Sequence, residues 1–300
     1  MQLSADFLIG SIIGILAAFL WAMATNVYKS QSNEATPLAI STLKTWLSLV
    51  VMAILVMLPF RTTPFFVPLE AIFYLAASVT IGLVVGDLAF LTAQERIGVS
   101  YAYPIATTFP IFTYIIAIFV VNETLLVTRF FGIFLAVSGV MLITRAQGAS
   151  QNKEEFSNFD RIGFLLSLFT ALCWSVGSVL LQIGVADVDP IDANFVRMVF
   201  GAGVIAPLYV GLVRHGMPKP TRRATKIVLV AAFFGMALGS LFYTFAVKMI
   251  GATVASVLGS ISPLFALPIS IFFLKEKFSS TSIIGALLTV SGVILVVLIV

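Results

Sequence analysis

The sequence predicts an all-α membrane protein whose ten transmembrane helices form two five-helix repeats of inverted topology. Three observations predict it. Apolar residues make up 60% of the 300-residue chain and charged residues 10%, with a mean hydropathy of +1.11, which excludes an ordinary soluble domain. Ten windows approach the roughly 20 apolar residues needed to cross a bilayer. The second half also superposes on the first, without a gap, at a shift of 153 positions.

The windows run at 7–25, 38–58, 71–93, 99–121 and 127–145, then at 161–183, 191–213, 226–247, 252–274 and 281–300. Each is continuously apolar rather than alternating with period two, which argues against a β-barrel. No Lys or Arg precedes the first window and no small-residue cleavage site stands out, so it is expected to stay as a span. The second and seventh begin near Pro37 and Pro190, each preceded by a candidate N-cap, Thr36 and Asp189. Glycines four apart (Gly10 and Gly14, Gly82 and Gly86, Gly235 and Gly239) permit close helix approach. Pro110 and Pro263 are expected to bend the fourth and ninth helices, and Thr128 and Thr281 to cap the fifth and tenth. The polar stretch AQGASQNKEEFSNFD at 146–160 reads as a linker between a first repeat, 1–145, and a second, 161–300.

The internal match is more than shared apolar composition. Trp21 falls on Trp174, Pro37 on Pro190, Lys44 on Arg197, Gly98 on Gly251, Pro110 on Pro263, Glu123 on Glu276 and Gly132 on Gly285. Between 98–142 and 251–295 there are 16 identities in 45 pairs, ending in a shared SGV. Pro268, opposite Ile115, breaks the symmetry. Five crossings per half oblige the second copy to enter from the opposite side, the inverted arrangement common among transporters. Duplication kept for packing alone is the plainer alternative.

These residues carry a family resemblance. The Trp21 and Trp174 positions, the Pro37 to Lys44 and Pro190 to Arg197 spacing, and the blocks PIFTYIIAIFVVNETLLVTRFFGIFLAVSGV and PLFALPISIFFLKEKFSSTSIIGALLTVSGV resemble the EamA-like branch of the drug/metabolite transporter superfamily. The resemblance spans essentially the whole chain. It implies two five-helix repeats and export of metabolites, amino acids, nucleotide sugars or drugs, without indicating which. Two features depart from the pattern: Ala22 and Ser175 follow the tryptophans where glycine is common, and Lys44 stands where arginine is usual.

Lys and Arg divide thirteen to four between the two membrane faces, the minority being Arg61, Arg129, Arg197 and Lys248. That bias places the odd-numbered loops in the cytoplasm and both termini outside, whereas the resemblance implies cytoplasmic termini. The basic run at 214–226 fits this bias better than nucleic-acid binding, and no nucleic-acid partner is expected.

Asp87 is the sharpest candidate for solute or proton handling. An ionisable group in mid-span costs roughly 2.5–3.5 kcal/mol on insertion scales and needs a cavity or a partner. Gln94, seven residues on, shares its face; the plainer reading of Asp87 is an ion pair with Lys44 or Arg197. Those two cations lie about 10 Å into their spans, where they serve packing and snorkelling or contact an anion at a cavity rim. Tyr103, Thr107, Pro110 and Tyr114 form a stripe matched by Ser256, Ser260, Pro263 and Leu267, read as cavity-lining. Trp21 with Thr25, and Trp174 with Ser178 and Gln182, give half-polar faces suited to an amphipathic solute. Glu123 and Glu276 are expected to fix the turns into the following spans.

No P-loop is present, the single histidine, His215, lies in a loop, and Cys173 is the only cysteine. ATP-driven pumping, a metal site, a cofactor and intramembrane catalysis are therefore not expected. The resulting expectation is a multi-pass cell-membrane transporter, monomeric or homodimeric, in contact with membrane lipid. It exports small organic solutes by alternating access, with protons as the candidate coupling ion. A flippase for lipid or lipid-linked sugar, or a passive facilitator, is the alternative.

Overall fold

The computed structural model describes residues 4–58, 64–151, 160–265 and 280–298. Pro268, Glu276 and Leu267 lie outside the described residues. Every regular element among those described is helical. The first half comprises α1 (Ala5–Ser30), α2 (Pro37–Met57), α3 (Leu69–Ile97), α4 (Tyr101–Val120) and α5 (Val127–Gln151). The second comprises α6 (Arg161–Val185), α7 (Pro190–Arg214), α8 (222–250), α9 (252–265) and α10 (Ser280–Leu298).

The helix Arg222–Ser260 has 39 residues, almost 60 Å at about 1.5 Å per residue and so twice the hydrocarbon core. It is broken at Gly251, with φ 77° and ψ 163°, and its two parts are α8 and α9. Gly98, the repeat equivalent, has φ 73° and ψ 160° and separates α3 from α4 in the same way. A positive φ with ψ near 160° is a conformation that essentially only glycine adopts. The same device therefore ends the third crossing of each half.

The repeat extends to irregular backbone. Val79–Gly86 in α3 and Phe233–Leu238 in α8 are π-helical, a widened turn often found at functional sites. Asp87 follows the first directly and Ser240 follows the second after Gly239, and both side chains are buried. α4 is interrupted at Thr107 and Thr108, and α9 at Ile261, again 153 residues apart or nearly so. Pro110 and Pro263 thus sit near the starts of fresh helical segments rather than in the middle of bent ones, because proline lacks the N–H that a helix interior uses and the first turn does not.

Packing follows a pseudo-two-fold. α2 packs on α7 and α5 on α10, each helix against its own counterpart, while α1 packs on α8 and α9 as α6 packs on α3 and α4. Helices in lipid gain little from burying apolar surface on one another, so close contact rests on small residues. A Cβ on Gly139 of α5 would lie 2.5 Å from the Gly285 carbonyl oxygen of α10, and one on Gly177 of α6 2.8 Å from Gly82 Cα of α3. Thr36 caps α2 by accepting from the Ala39 N–H at 3.3 Å, and Asp189 caps α7 by accepting from Ile191 at 2.8 Å, each followed by proline. Thr128 and Thr281 fall just inside their helices, which begin at Val127 and Ser280. α5 runs on past Arg145 to Gln151 through good helix formers, Ala146, Gln147 and Ala149.

The largest core joins Leu75, Val188, Val247, Ile250, Ala252 and Val254. It fills the bundle on the side of the α6–α7 and α8–α9 connections. Phe131, Phe134, Leu287 and Ile294 on α5 and α10 are exposed, forming an apolar face that suits lipid.

Candidate functional site

Between the two halves lies a cavity enclosing about 1110 Å³ of space free of atoms, its open mouth included. It is lined by every helix except α5 and α10. Its lining reaches Tyr28 and Gln94, within one turn of the ends of α1 and α3. The cavity therefore extends toward the face carrying the α1–α2 and α3–α4 connections, and the main core closes its other end.

On the cavity lining Asp87 is 8% exposed. One carboxylate oxygen accepts a hydrogen bond from the Lys44 ammonium in a buried ion pair, and the other accepts from the Trp174 indole N–H at 2.9 Å. Lys44 sits seven residues after Pro37 and reaches inward rather than snorkelling, its Nζ also 5.7 Å from the centre of the Tyr28 ring. Trp174 belongs to α6, so Asp87 ties the first repeat to the second. The Trp174 ring packs at 5.1 Å on Phe90 and edge-on at 5.7 Å on Phe109.

The second half carries the same frame with different chemistry. Trp21 packs at 5.1 Å on Tyr243, the repeat equivalent of Phe90. The Tyr243 hydroxyl lies 2.8 Å from that of Ser178. Arg197 takes the place of Lys44 and Ser240 that of Asp87. The Arg197 Nη1 donates to Asn194 Oδ1 at 3.1 Å, to Thr244 Oγ1 at 3.1 Å and to Ser240 Oγ at 3.4 Å.

Eleven candidates named from the sequence border this one cavity: Trp21, Thr25, Lys44, Asp87, Gln94, Tyr103, Thr107, Trp174, Ser178, Arg197 and Ser260. Others do not line it. Tyr114 is fully buried, accepting from the Leu126 N–H at 2.7 Å and donating to the Thr124 carbonyl at 3.0 Å, so it pins the turn into α5. Ser256 donates to the Thr253 carbonyl at 2.7 Å, and Gln182 accepts from the Ala252 N–H at 2.6 Å, capping α9. Pro110 and Pro263 also lie off the lining. The stripe assumed one continuous helix, and the interruption at Thr107 and Thr108 resets the register beyond it. Glu123 holds Arg129 at 2.5 Å and Thr253 of the other half at 2.5 Å.

Tyr28, Phe90, Ser240 and Tyr243 also line the cavity and Asn194 supports Arg197, none of them singled out by sequence pattern. Helical spacing offered the signal: Asn194 is three residues before Arg197, and Tyr243 three after Ser240. Among the described residues no group of three or more His, Cys, Asp or Glu could hold a metal ion.

The profile of the EamA-like transporter family matches residues 8–145 and 161–298, both halves of the chain. The chain belongs to the EamA-like transporter family. It is 30% identical over 141 residues to the uncharacterized inner membrane transporter YhbE of Escherichia coli (strain K12), a match that takes in 45% of the chain and 42% of that relative. It therefore spans less than half of YhbE's length. The uncharacterized transporter YyaM of Bacillus subtilis (strain 168) is 27% identical over 70% of each chain. A chloroplastic WAT1-related protein of Arabidopsis thaliana is 24% identical over 62% of this chain and 45% of its own. One crystal structure superposes over 97% of each chain with a TM-score of 0.76 at 17% identity, a likeness of fold alone. This EamA-like protein is a multi-pass integral membrane protein.

Proposed function

We propose that this EamA-like protein is a secondary active exporter of small organic solutes in the cell membrane, working by alternating access and coupled to protons through Asp87. The observation that carries the reading is the cavity between the two repeats, whose lining residues include several with buried, unpartnered polar atoms. Tyr28, Gln94 and Arg197 border it, and among the described residues the Tyr28 hydroxyl, the Gln94 amide nitrogen and Arg197 Nε find no hydrogen-bond partner. Buried polar groups are costly unless paired, and a solute entering the cavity supplies partners. Aromatic walls from Trp21, Phe90, Trp174 and Tyr243 suit its apolar part.

Asp87 is where a proton would act on the two halves. Its charge holds Lys44 within the first repeat and Trp174 across to the second. Adding a proton removes the charge that makes both hydrogen bonds strong and loosens the link between repeats. With two nearly equal halves about a central site, rocking exposes the site to each side in turn. The excess of Lys and Arg on the face toward which the cavity extends favours a cytoplasm-facing state, in keeping with export.

The test is flux in reconstituted vesicles loaded with a radiolabelled amino-acid mixture. A pH gradient should drive flux through the wild type and fail to drive it through Asp87→Asn. Flux that ignores the gradient and the substitution would contradict proton coupling and favour a passive facilitator; scrambling of fluorescent lipid would favour a flippase.

A further inference from the structure

The two halves treat their buried cations differently. In the first, Lys44 is neutralised by Asp87. A shift of 153 residues replaces that pair with Arg197 and Ser240, so the acid is missing where the second cation stands. Arg197 is 4% exposed and borders the cavity. Among the described residues its Nη1 meets only the neutral oxygens of Asn194, Thr244 and Ser240, its Nε has no partner and no carboxylate pairs with it. The other acid on α7, Asp192, accepts instead from the Phe66 N–H at 3.4 Å. Lys44, Asp87 and Arg197 together leave one uncompensated positive charge at the cavity.

A buried guanidinium held by neutral dipoles alone is expensive, whereas a carboxylate can accept two parallel N–H bonds from its planar fork. We propose that Arg197 anchors an anionic group of the solute and that the solutes are organic carboxylates, an assignment that rests on the cavity being the transport path. One free cation matches a carboxylate's single charge better than the near-double charge of a phosphate. The remainder of the solute meets the paired rings of Trp21 and Tyr243 and the hydroxyl of Ser260. The asymmetry then has a division of labour: the first half keeps an internal acid that can take a proton, and the second receives its acid from the solute.

Ligand binding raises thermal stability by mass action, so the purified full chain can be titrated with 3-phenylpropionate, indole-3-acetate and L-leucine, each beside its amide. The carboxylates should stabilise the wild type and the amides should not. Arg197→Gln should weaken carboxylate binding roughly ten- to hundred-fold, the worth of a charge-assisted hydrogen bond. Ser240→Asp supplies Arg197 with the acid that the first half already has. It keeps the cation paired, so it guards against a folding defect, and it should weaken binding by a similar factor. Binding that is equal for acids and amides, absent for all three acids, or unchanged in Ser240→Asp would overturn the proposal. So would competition by chloride or inorganic phosphate at equal concentration, which would reassign the site to an inorganic anion. Uncharged solutes crossing wild-type and Arg197→Gln vesicles alike would overturn it and leave the transport reading standing. Vesicles passing no solute of any charge would overturn the transport reading itself.

Discussion

The indole N–H of Trp174 donates to the Asp87 carboxylate at 2.9 Å, joining the sixth helix to the third across the boundary between the repeats. Its counterpart, Trp21, faces a region where Ser240 replaces the acid. Trp174→Phe keeps an aromatic ring, a smaller one, and deletes the donor to a charged acceptor; Trp21→Phe loses the same ring volume and serves as the control. Trp174→Phe should lower unfolding stability by about 1.5–3 kcal/mol, with Trp21→Phe costing less. Thermal denaturation of the two purified variants checks the difference, and equal losses would contradict it.

The Lys44–Asp87 pair is buried on both sides, at 7% and 11% side-chain exposure. Asp87→Asn strands a buried ammonium and should cost about 3–5 kcal/mol. Adding Lys44→Met removes the stranded charge and should restore most of the loss, since an apolar replacement of a buried pair is often neutral. A double-mutant cycle on thermal stability measures this coupling. A double variant that is folded yet indifferent to a pH gradient would separate the pair's structural role from its role in coupling.

Gly98 and Gly251 end the third crossing of each repeat with positive φ. Gly98→Ala and Gly251→Ala should each destabilise by about 1–3 kcal/mol through backbone strain. Around Gly251 a new Cβ meets only Gln182 atoms at 3.6 Å or more, so crowding contributes nothing there. Melting temperatures near that of the wild type would sink the claim that these turns require glycine.

The α5–α10 crossing should not tolerate a methyl group. A Cβ on Gly139 would come within 2.5 Å of backbone atoms of Gly285 and Thr289, whereas at Gly203 nothing lies within 4 Å. Gly139→Ala should cost about 1–3 kcal/mol by overpacking, while Gly203→Ala should be neutral or gain up to about 1 kcal/mol from helix propensity. Expression and denaturation midpoints of the two variants provide the comparison.

Much of the fold was legible because its signals are local and duplicated. Spans show as apolar runs, the starts of α2 and α7 as a capping side chain before proline, and the repeat as matched Trp, Pro, Gly and Glu. Side-chain direction was legible only where a helix stays regular. Asp87 and Gln94 share a face on one segment of α3, and both line the cavity. Tyr114 and Ser256 do not: the interruption at Thr107 and Thr108 turns the segment that carries Tyr114, and Ser256 is fully buried in helix packing. Which cation takes Asp87 depends on tertiary packing, since Lys44 and Arg197 occupy equivalent positions. Tyr28 and Asn194 are not legible in the sequence because a lone polar residue on an apolar helix looks the same whether it packs or faces a cavity.

Access to the cavity from each membrane face in turn is what the inverted repeat would provide. Cys173 is the only cysteine, so a Cys173→Ala background allows one reporter thiol at Thr25, which lines the cavity. The decisive measurement is labelling of Thr25→Cys by a membrane-impermeant maleimide added to one face or the other of oriented vesicles during turnover. Alternating access predicts labelling from both faces, slowed by transported solute. Labelling from a single face under every condition would contradict it.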